Sequence, residues 1–311
     1  MAKYRTRLPQ LNGTRILTDG GLETVMIFHE GVELPYFASF DLLRSEEGRA
    51  RLRAYFDPYI EIARRERVGL LLESTTWRAS ADWGAKLGLD DAGLAAINRQ
   101  AIAFLEEVRA ANETPEVPMV ISACIGPRGD GYAPGALMSA DEATEYHSVQ
   151  ARIFADTAAD LISALTMNNI PEAIGVARAA QAAGMPIAVS FTVETDGRLP
   201  SGDTLQDAIE TVDAATGAYP AYYMINCAHP THFADALAGN SRIMGLRANA
   251  SRCSHAELDE AETLDEGNPA ELGRQFAQLL SENRQLSVLG GCCGTDHRHV
   301  SEIGAALRAA A

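Results

Sequence analysis

Three cysteines stand where their thiols could act together on one metal ion. Cys292 and Cys293 are adjacent and lie between the pair Gly290-Gly291 and Gly294, after the apolar run Leu286–Leu289. Cys227 follows a second strand-like run, Ala221–Asn226. Zinc favours soft thiolate ligands, and three protein ligands with an open fourth position are typical of catalytic zinc sites. The pattern therefore predicts Zn²⁺ held by Cys227, Cys292 and Cys293.

An adjacent cysteine pair also has simpler interpretations, as two small buried apolar residues or as a strained redox disulfide. The flanking glycines favour a shared site, because they let the chain leave the strand, where neighbouring side chains point to opposite faces. The competing histidine ligands are His229, His297 and His299. The last two fall in the opening turns of a predicted helix and are expected at the surface. Cys124 and Cys253 are expected to be structural thiols.

Three thiolates around one Zn²⁺ give a site with net negative charge, which is poorly suited to activating water. A substrate thiol would still lose its proton on binding such a metal. Its sulfur would keep much of its electron density, because the other thiolates already donate to the ion. The chemistry expected of this site is attack by sulfur on an activated alkyl group, helped mainly by positioning.

Short apolar runs alternate with longer amphipathic segments along the whole chain. The predicted strands are Arg15–Thr18, Val68–Leu72, Met119–Ala123, Asp160–Leu165, Ile187–Phe191, Tyr222–Asn226, Ile243–Arg247 and Leu286–Leu289. The predicted helices are Ser45–Arg67, Asp90–Ala111, Ser139–Thr157, Ile170–Ala183, Thr204–Gly217, Thr231–Ala238, Pro269–Glu282 and Asp296–Ala310. Asp90 and Ser139 are predicted N-caps, and Gly184 and Gly217 are predicted helix stops.

This alternation predicts a parallel sheet closed into a (β/α)8 TIM barrel, with its zinc site at the C-terminal ends of the strands. An open doubly wound sheet is the alternative, but it would bring a Gly-rich phosphate turn after an early strand. Asp19-Gly20-Gly21 lacks that spacing. Asp19 is either an ordinary turn residue or a carboxylate beside a backbone nest that faces the rim.

Trp77, Arg78 and Trp83 follow the second predicted strand. They could bind a cation through the ring faces. Residues of this kind more often cover a loop, and the sequence favours that interpretation.

Composition limits the possible partners. The chain has 311 residues, of which 47% are hydrophobic, and a formal net charge of −16. This acidity argues against nucleic acid and anionic membranes as partners and leaves small molecules. The start of the chain lacks the apolar segment of a signal peptide, so a cytoplasmic location with reduced cysteines is expected. Residues 1–311 are expected to form one domain, and an oligomer is possible.

Three motifs resemble the homocysteine S-methyltransferase family, which includes betaine-, S-methylmethionine- and folate-linked enzymes. They are Asp19-Gly20-Gly21, Asn226-Cys227 and Gly290–Thr295, with weaker matches at Gly126-Pro127, Ser190–Thr192 and Asn249-Ala250. The resemblance covers nearly the whole chain. It implies a zinc-dependent barrel with the three cysteines as ligands. It also implies that Asp19, as a catalytic and substrate-binding residue, and the Gly20-Gly21 backbone contact the amino acid part of the acceptor.

The resemblance extends the substrate-binding set to the ends of other strands. Its members are Asp19, Gly20, Gly21, Glu73, Ser74, Leu165, Thr166 and Asn226. Family members usually carry glutamate then threonine where this chain has Leu165-Thr166, and that glutamate holds the ammonium of the acceptor. Either another acid, such as Glu73 or Glu194, replaces it, or the acceptor is a different thiol or selenol.

The sequence thus predicts methyl transfer to a zinc-bound thiol, with homocysteine, which would give methionine, as the first acceptor to test. The donor is expected to be a small sulfonium or quaternary ammonium compound, because no folate or cobalamin module is visible. A non-catalytic barrel that binds zinc or thiols is the alternative, and Leu165 is the main argument for it.

Overall fold

Eight parallel strands close into a barrel in the computed structural model, which describes residues 1–237 and 239–310. The strands are β1 (Ile16–Leu17), β2 (Gly69–Glu73), β3 (Met119–Ile125), β4 (Leu161–Met167), β5 (Ile187–Phe191), β6 (Tyr222–Asn226), β7 (Ile243–Ala248) and β8 (Val288–Gly291). Each strand pairs with the next, and β8 pairs with β1 through Val288 and Ile16. The predicted (β/α)8 barrel is confirmed.

Helices surround this barrel. They are α1 (Leu22–Thr24), α2 (Glu46–Glu66), α3 (Ala81–Lys86), α4 (Asp91–Asn112), α5 (Ala140–Ala155), α6 (Ile170–Ala182), α7 (Leu205–Thr216), α8 (Pro230–Phe233), α9 (His255–Asp259), α10 (Pro269–Glu282) and α11 (His297–Ala309). Shorter 3₁₀ or π turns cover Pro9–Asn12, Val25–His29, Pro35–Phe37, Ser39–Arg44 and Asp235–Leu237. Within the described residues, no helix is both long enough and apolar enough to cross a membrane.

The predicted helix ends are confirmed at four positions. The Asp90 side chain accepts a hydrogen bond from the Gly93 amide, and the Ser139 side chain accepts one from the Glu142 amide. Gly184 and Gly217 follow helix ends with left-handed backbone, at φ 66° and 65°, as expected of C-terminal caps.

Strand β8 differs from the prediction by a shift of two residues. Gly290 and Gly291 belong to the strand, whereas the sequence suggested that they end it. They are needed there for close packing: a Cβ atom on Gly290 would lie 2.0 Å from Thr18 Oγ1, and one on Gly291 would lie 1.9 Å from Thr295 Oγ1. The strand therefore ends at Gly291, and the backbone turns from Cys292 onwards, where the Thr295 amide donates to the Cys292 carbonyl at 3.1 Å.

The helix predicted at Thr231–Ala238 is also different. The chain forms the short helix α8 and then a separate 3₁₀ turn, and Ala238 lies outside the described residues. Helices α3 and α9 were not predicted, because five or six residues are too few to show helical periodicity.

Alternation along the strands separates two layers inside the barrel. The lower layer is apolar and contains Leu71, Val120, Leu161, Ala188, Met224 and Val288. Side chains two positions further along a strand point to the same face. Two positions above that apolar layer, the chain places Glu73, Ser122, Ser163, Ser190, Asn226 and Gly290. The period of the strands therefore puts polar chemistry at the C-terminal end of the barrel.

The opposite end of the barrel is closed by an ion pair. Asp160 is fully buried and accepts from Arg109 Nη1 at 2.7 Å and from the Ile121 amide at 2.9 Å. Its other oxygen accepts from the amides of Lys3 and Tyr4, at 2.8 and 2.7 Å. The start of the chain is thus tied to the bottom of the barrel.

Candidate active site

The residues singled out from the sequence meet at one cavity of about 500 Å³. The cavity is lined by Asp19, Gly20, Gly21, Glu73, Ser74, Leu165, Thr166, Asn226, Cys227, Cys292 and Cys293. They follow or end β1, β2, β4, β6 and β8. The structure thus brings these residues together, and their roles stay predictions.

The three sulfurs face one another and suit a metal. All three lie within 4.8 Å of one another, and Cys227 Sγ is 3.8 Å from Cys293 Sγ. Zinc–sulfur bonds of about 2.3 Å in a tetrahedron place two sulfurs about 3.8 Å apart. Cys227 Sγ and Cys292 Sγ are closer, at 2.7 Å, so these two must separate by about 1 Å around a zinc ion. With that adjustment, the donor set fits Zn²⁺.

Close backbone packing presents the sulfurs to the cavity. Cys227 has a left-handed backbone, with φ 54°, and its amide donates to the Arg247 carbonyl at 3.2 Å. On the other side, a Cβ atom on Gly21 would lie 2.6 Å from the Cys292 carbonyl oxygen. The chain can therefore approach the cysteine pair this closely only with glycine at position 21.

The thiols influence one another strongly. Hydrogen bonds from the Cys227 and Cys293 thiols hold the pKa of Cys292 well below its ordinary value, and the charge of Arg247 acts in the same direction. Tyr132 reaches the cluster from the loop after β3, with its hydroxyl 3.7 Å from Cys293 Sγ. Its ring stacks on His255 at 4.0 Å between centroids, and His255 Nε2 lies 2.8 Å from the Cys227 carbonyl oxygen. No sequence pattern pointed to Tyr132.

Asn226 connects three strands beside the cysteines. Its Oδ1 accepts from the Thr166 amide at 2.8 Å and from Ser190 Oγ at 2.7 Å, and its Nδ2 donates to Thr166 Oγ1 at 2.8 Å. Thr166 has φ 61°, and the pairing of β4 with β5 shifts register at this point. Asn226 therefore holds an unusual backbone conformation in place and is largely committed to protein contacts.

Arg247, on β7, is the main functional residue that the sequence analysis missed. Its guanidinium is buried and donates to Asp19 Oδ1 at 2.6 Å, to Glu73 Oε2 at 3.4 Å and to the Gly291 carbonyl at 3.2 Å. An arginine within an otherwise apolar parallel strand was the available signal, because both faces of such a strand are buried.

Asp19 is committed to the protein by these contacts. One of its oxygens takes Arg247, and the other accepts from the Tyr55 hydroxyl at 3.1 Å. Burial raises the pKa of Asp19, while Arg247 and then Tyr55 oppose that rise. The Gly21 amide donates to the Thr295 carbonyl at 3.0 Å. Asp19 and Gly21 line the cavity, but these groups already have partners.

Two glutamates line the cavity besides Asp19. Glu23 is half-buried and accepts from Ser39 Oγ at 2.7 Å through one oxygen. Glu73 is the more deeply buried of the two. Its side chain is 7% exposed, and its Oε1 has no hydrogen-bond partner within the described part of the chain. Burial raises its pKa to about 7, against the lowering effects of Arg247 and of the nearby Ser122 and Ser163 hydroxyls. Leu165 lines the same cavity and is also 7% exposed. Glu194, the other acid considered as its replacement, lies 3.0 Å from His255 Nδ1 and is not among the cavity residues.

Aromatic residues form the outer wall of the cavity. Arg78 lies between Trp77 and Trp83, with its guanidinium carbon 4.2 and 3.8 Å from the two ring centroids. All three line the cavity, so they do more than cover a loop. Tyr36 and Phe37, which are partly exposed and have left-handed backbones, also line it.

The remaining histidines and cysteines have other roles. His229 caps α8 by accepting from the Thr231 amide. His297 is exposed, as expected, but the prediction for His299 is wrong: it is fully buried, and its ring contacts Asp296 and the Glu266 carbonyl. His299 lies three residues after the cap residue Asp296, and this spacing turns its side chain inwards. Cys124 is buried and Cys253 is exposed, both as free thiols.

The chain is similar to known proteins in sequence and in fold. The sequence model of the homocysteine S-methyltransferase family matches residues 16–307. No curated protein gave a match. Among solved structures, the homocysteine methyltransferase MmuM from Escherichia coli is similar in its oxidized form, with 19% identity, a TM-score of 0.74 and coverage of 94% of this chain and 95% of that one. Its metallated form has 17% identity, a TM-score of 0.73 and coverage of 98% and 99%.

These structural likenesses support the barrel fold, and the family match covers nearly the whole chain, including every residue named for the cavity. The cysteines of the resemblance meet where the barrel places its active site. The chain therefore belongs to the homocysteine S-methyltransferase family of methyltransferase enzymes.

Proposed function

We propose that this enzyme transfers a methyl group from a small sulfonium or quaternary ammonium donor to the thiol of homocysteine, with Zn²⁺ held by Cys227, Cys292 and Cys293. The observation that carries the proposal is the convergence of three cysteine sulfurs within 4.8 Å on the wall of one cavity. One structural neighbour is the metallated form of the E. coli homocysteine methyltransferase, which agrees with a metal-binding role for proteins of this fold. The proposal takes residues 1–311 as one catalytic domain.

The bound metal would lower the pKa of the acceptor thiol so that it binds as a thiolate. The cavity then has to align the acceptor sulfur, the methyl carbon and the leaving atom. The sulfur lone pair forms the new S–C bond as the bond from the methyl carbon to the donor S⁺ or N⁺ breaks. The electrons of that bond stay on the donor atom, which becomes neutral.

Around the sulfurs, the protein supplies fixed positions rather than acid–base groups. Arg247 holds Asp19 and Glu73 beneath the cavity. Asn226 fixes Thr166 beside the sulfurs. Tyr132 contacts Cys293 Sγ at 3.7 Å and would help to hold that sulfur in place.

We assign the ammonium of homocysteine to Glu73. Leu165 cannot pair with a cation, and both Asp19 oxygens already have partners. Among the described residues of the cavity wall, Glu73 Oε1 is the carboxylate oxygen that is buried without a hydrogen-bond partner, whereas Glu23 is less buried and accepts from Ser39 Oγ. An ammonium at this position would satisfy it. Ser74 has a lesser role, because its hydroxyl already accepts from the Cys124 amide.

Leu165 supports a second candidate, methyl transfer to a thiol or selenol that lacks an α-ammonium. In that case Glu73, which Arg247 contacts at 3.4 Å, would meet no cation from the ligand, and the acceptor would bind with Glu73 protonated. The two candidates differ in the acceptor and agree on the metal and the reaction.

The test is an assay of zinc-loaded protein with homocysteine or 4-mercaptobutyrate as acceptor and S-methylmethionine, glycine betaine or dimethylsulfoniopropionate as donor. Mass spectrometry should detect methionine together with the demethylated donor. Methylation of 4-mercaptobutyrate in preference to homocysteine would favour the second candidate. If no acceptor is methylated from any donor, the proposed function is wrong.

A further inference from the structure

We propose that Arg78 binds a carboxylate of a bound substrate at the outer wall of the cavity. This inference takes the cavity to be the substrate site of the proposed function and assigns one part of it. Arg78 follows β2, only five positions after Glu73 along the chain. The two residues would thus hold opposite charges of zwitterionic substrates.

Burial is the first observation that supports this role. The Arg78 residue is only 6% exposed, although it is a cation on the wall of a cavity. Its Nε is buried and has no hydrogen-bond partner within the described part of the chain. A buried donor without a partner carries a desolvation cost that a ligand oxygen would relieve.

The partners that Arg78 does have leave room for an anion. Nη1 donates to the Gly129 carbonyl at 2.7 Å, which is a neutral acceptor. Nη2 lies 3.6 Å from Asp130 Oδ2, beyond hydrogen-bond distance, and the Asp130 side chain is 51% exposed. Asp130 and, more weakly, Glu23 act on the charge of Arg78 without a hydrogen bond to it in the described part of the chain, so that charge is only partly compensated. A substrate carboxylate would supply the charge-assisted pairing for which a guanidinium is suited.

Two tryptophans keep the guanidinium in this orientation. Trp77 and Trp83 contact it at 4.2 and 3.8 Å, and Lys86 Nζ lies 3.8 Å from the Trp83 centroid. The Trp83 ring is therefore already engaged by two protein cations. This arrangement favours an anionic ligand group at this part of the wall over the cationic methyl-bearing group of a donor.

The carboxylate could belong to the donor or to the acceptor, and paired probes distinguish these sources. Glycine betaine and choline share a trimethylammonium group, but only the first carries a carboxylate. Homocysteine and 3-aminopropanethiol form the corresponding acceptor pair. Calorimetry would measure all four with zinc-loaded native protein and with Arg78→Gln, Arg78→Lys and Arg128→Gln. Arg128 is a matched control, because it pairs with Asp82 and is not among the cavity residues.

Arg78→Gln should weaken binding of the carboxylate probe by at least about tenfold in one pair, and binding of its carboxylate-free counterpart by less than about twofold. Arg78→Lys should be intermediate, because it keeps the charge without the planar fork. It also carries the test if the glutamine variant does not fold. A loss confined to betaine identifies the donor, and one confined to homocysteine identifies the acceptor.

The proposal is overturned if Arg78→Gln weakens both members of each pair equally, or if native protein binds neither carboxylate probe better than its counterpart. Product formation by native protein tests the proposed function separately. A native enzyme that makes methionine while Arg78→Gln keeps its carboxylate preference would refute only the role of Arg78. Carboxylate binding that depends on Arg78, without any methylated product, would refute only the proposed function.

Discussion

Replacing Glu73, to which we assign the acceptor ammonium, should weaken the binding of homocysteine selectively. Glu73→Gln preserves size and removes the charge. A hydrogen bond to a charged group contributes about 1.5–3 kcal/mol, and about 1.4 kcal/mol corresponds to tenfold in affinity. The Kd of homocysteine should therefore rise about 10- to 100-fold, whereas the Kd of 4-mercaptobutyrate, which lacks the ammonium, should change less than about twofold.

The pH dependence of binding provides an independent readout. The pKa of Glu73 in the free protein is raised to about 7. Native protein should therefore bind homocysteine more tightly as the pH rises from 6 to 8, because Glu73 loses its proton. Any contribution from the acceptor thiol is measured with 4-mercaptobutyrate and subtracted. The remaining pH dependence should disappear in Glu73→Gln.

The same carboxyl should lower stability as the pH rises. Its pKa is about 7 in the folded protein, against an ordinary value of 4.5, so the folded state binds more protons between these values. Its favourable contribution is complete below pH 4.5 and is lost as the pH rises through 7. The shift corresponds to about 3 kcal/mol. In urea unfolding at pH 5 and pH 8, Glu73→Gln should therefore gain up to about 3 kcal/mol relative to native protein at the higher pH.

Moving the carboxylate across the cavity is the control. Leu165→Glu added to Glu73→Gln should recover much of the homocysteine affinity, because a carboxylate again faces the ammonium. Unchanged homocysteine affinity in Glu73→Gln would show that another group holds the ammonium. An equal loss for 4-mercaptobutyrate would instead indicate general damage to the cavity, and either result would refute the assignment.

Three further outcomes are expected. Cys292→Ala should lose most of the bound zinc by metal analysis. Cys253→Ala, which changes an exposed thiol outside the cavity, should retain the zinc. Full retention of zinc in Cys292→Ala would refute the metal assignment. Arg109→Met should destabilise the fold by about 3–5 kcal/mol in urea unfolding, because Asp160 is left charged and buried, yet it should leave zinc content unchanged. Leu165→Glu alone should improve homocysteine binding by less than about threefold, since the Glu73 carboxylate already faces the cavity. A larger gain in calorimetry would show that the native cavity lacks an ammonium partner.

The barrel was predictable because its strands are short, apolar and buried on both faces, so each stands out from the amphipathic helices around it. The ends of strands were less predictable where glycine is present. Gly290 and Gly291 indicated a break, but the structure uses them as strand residues that accommodate Thr18 and Thr295. That contact joins positions far apart along the chain, so no local pattern could reveal it.

The candidate site was predictable as a location more than as a network. The strand ends gave the cysteines, Glu73 and Leu165, since barrel geometry gathers such ends at one face. The partners of Arg247 could not be predicted, because Asp19 lies 228 positions away along the chain. Whether Asp19 or Glu73 keeps a free oxygen depends on that contact.

The left-handed backbone of Cys227 sets protein stability and chemistry against each other. A non-glycine residue in this conformation carries a cost of about 1–3 kcal/mol that glycine does not. For folding alone, glycine is thus favoured at position 227. Cysteine offsets this loss of stability only while its sulfur takes part in the chemistry. In a lineage that no longer used the metal, selection for stability would act against Cys227. Cys292 has a φ outside the left-handed region, so the same selection would not act on it. The residue at position 227 should therefore indicate more reliably than the residue at position 292 whether a barrel of this kind still performs its chemistry.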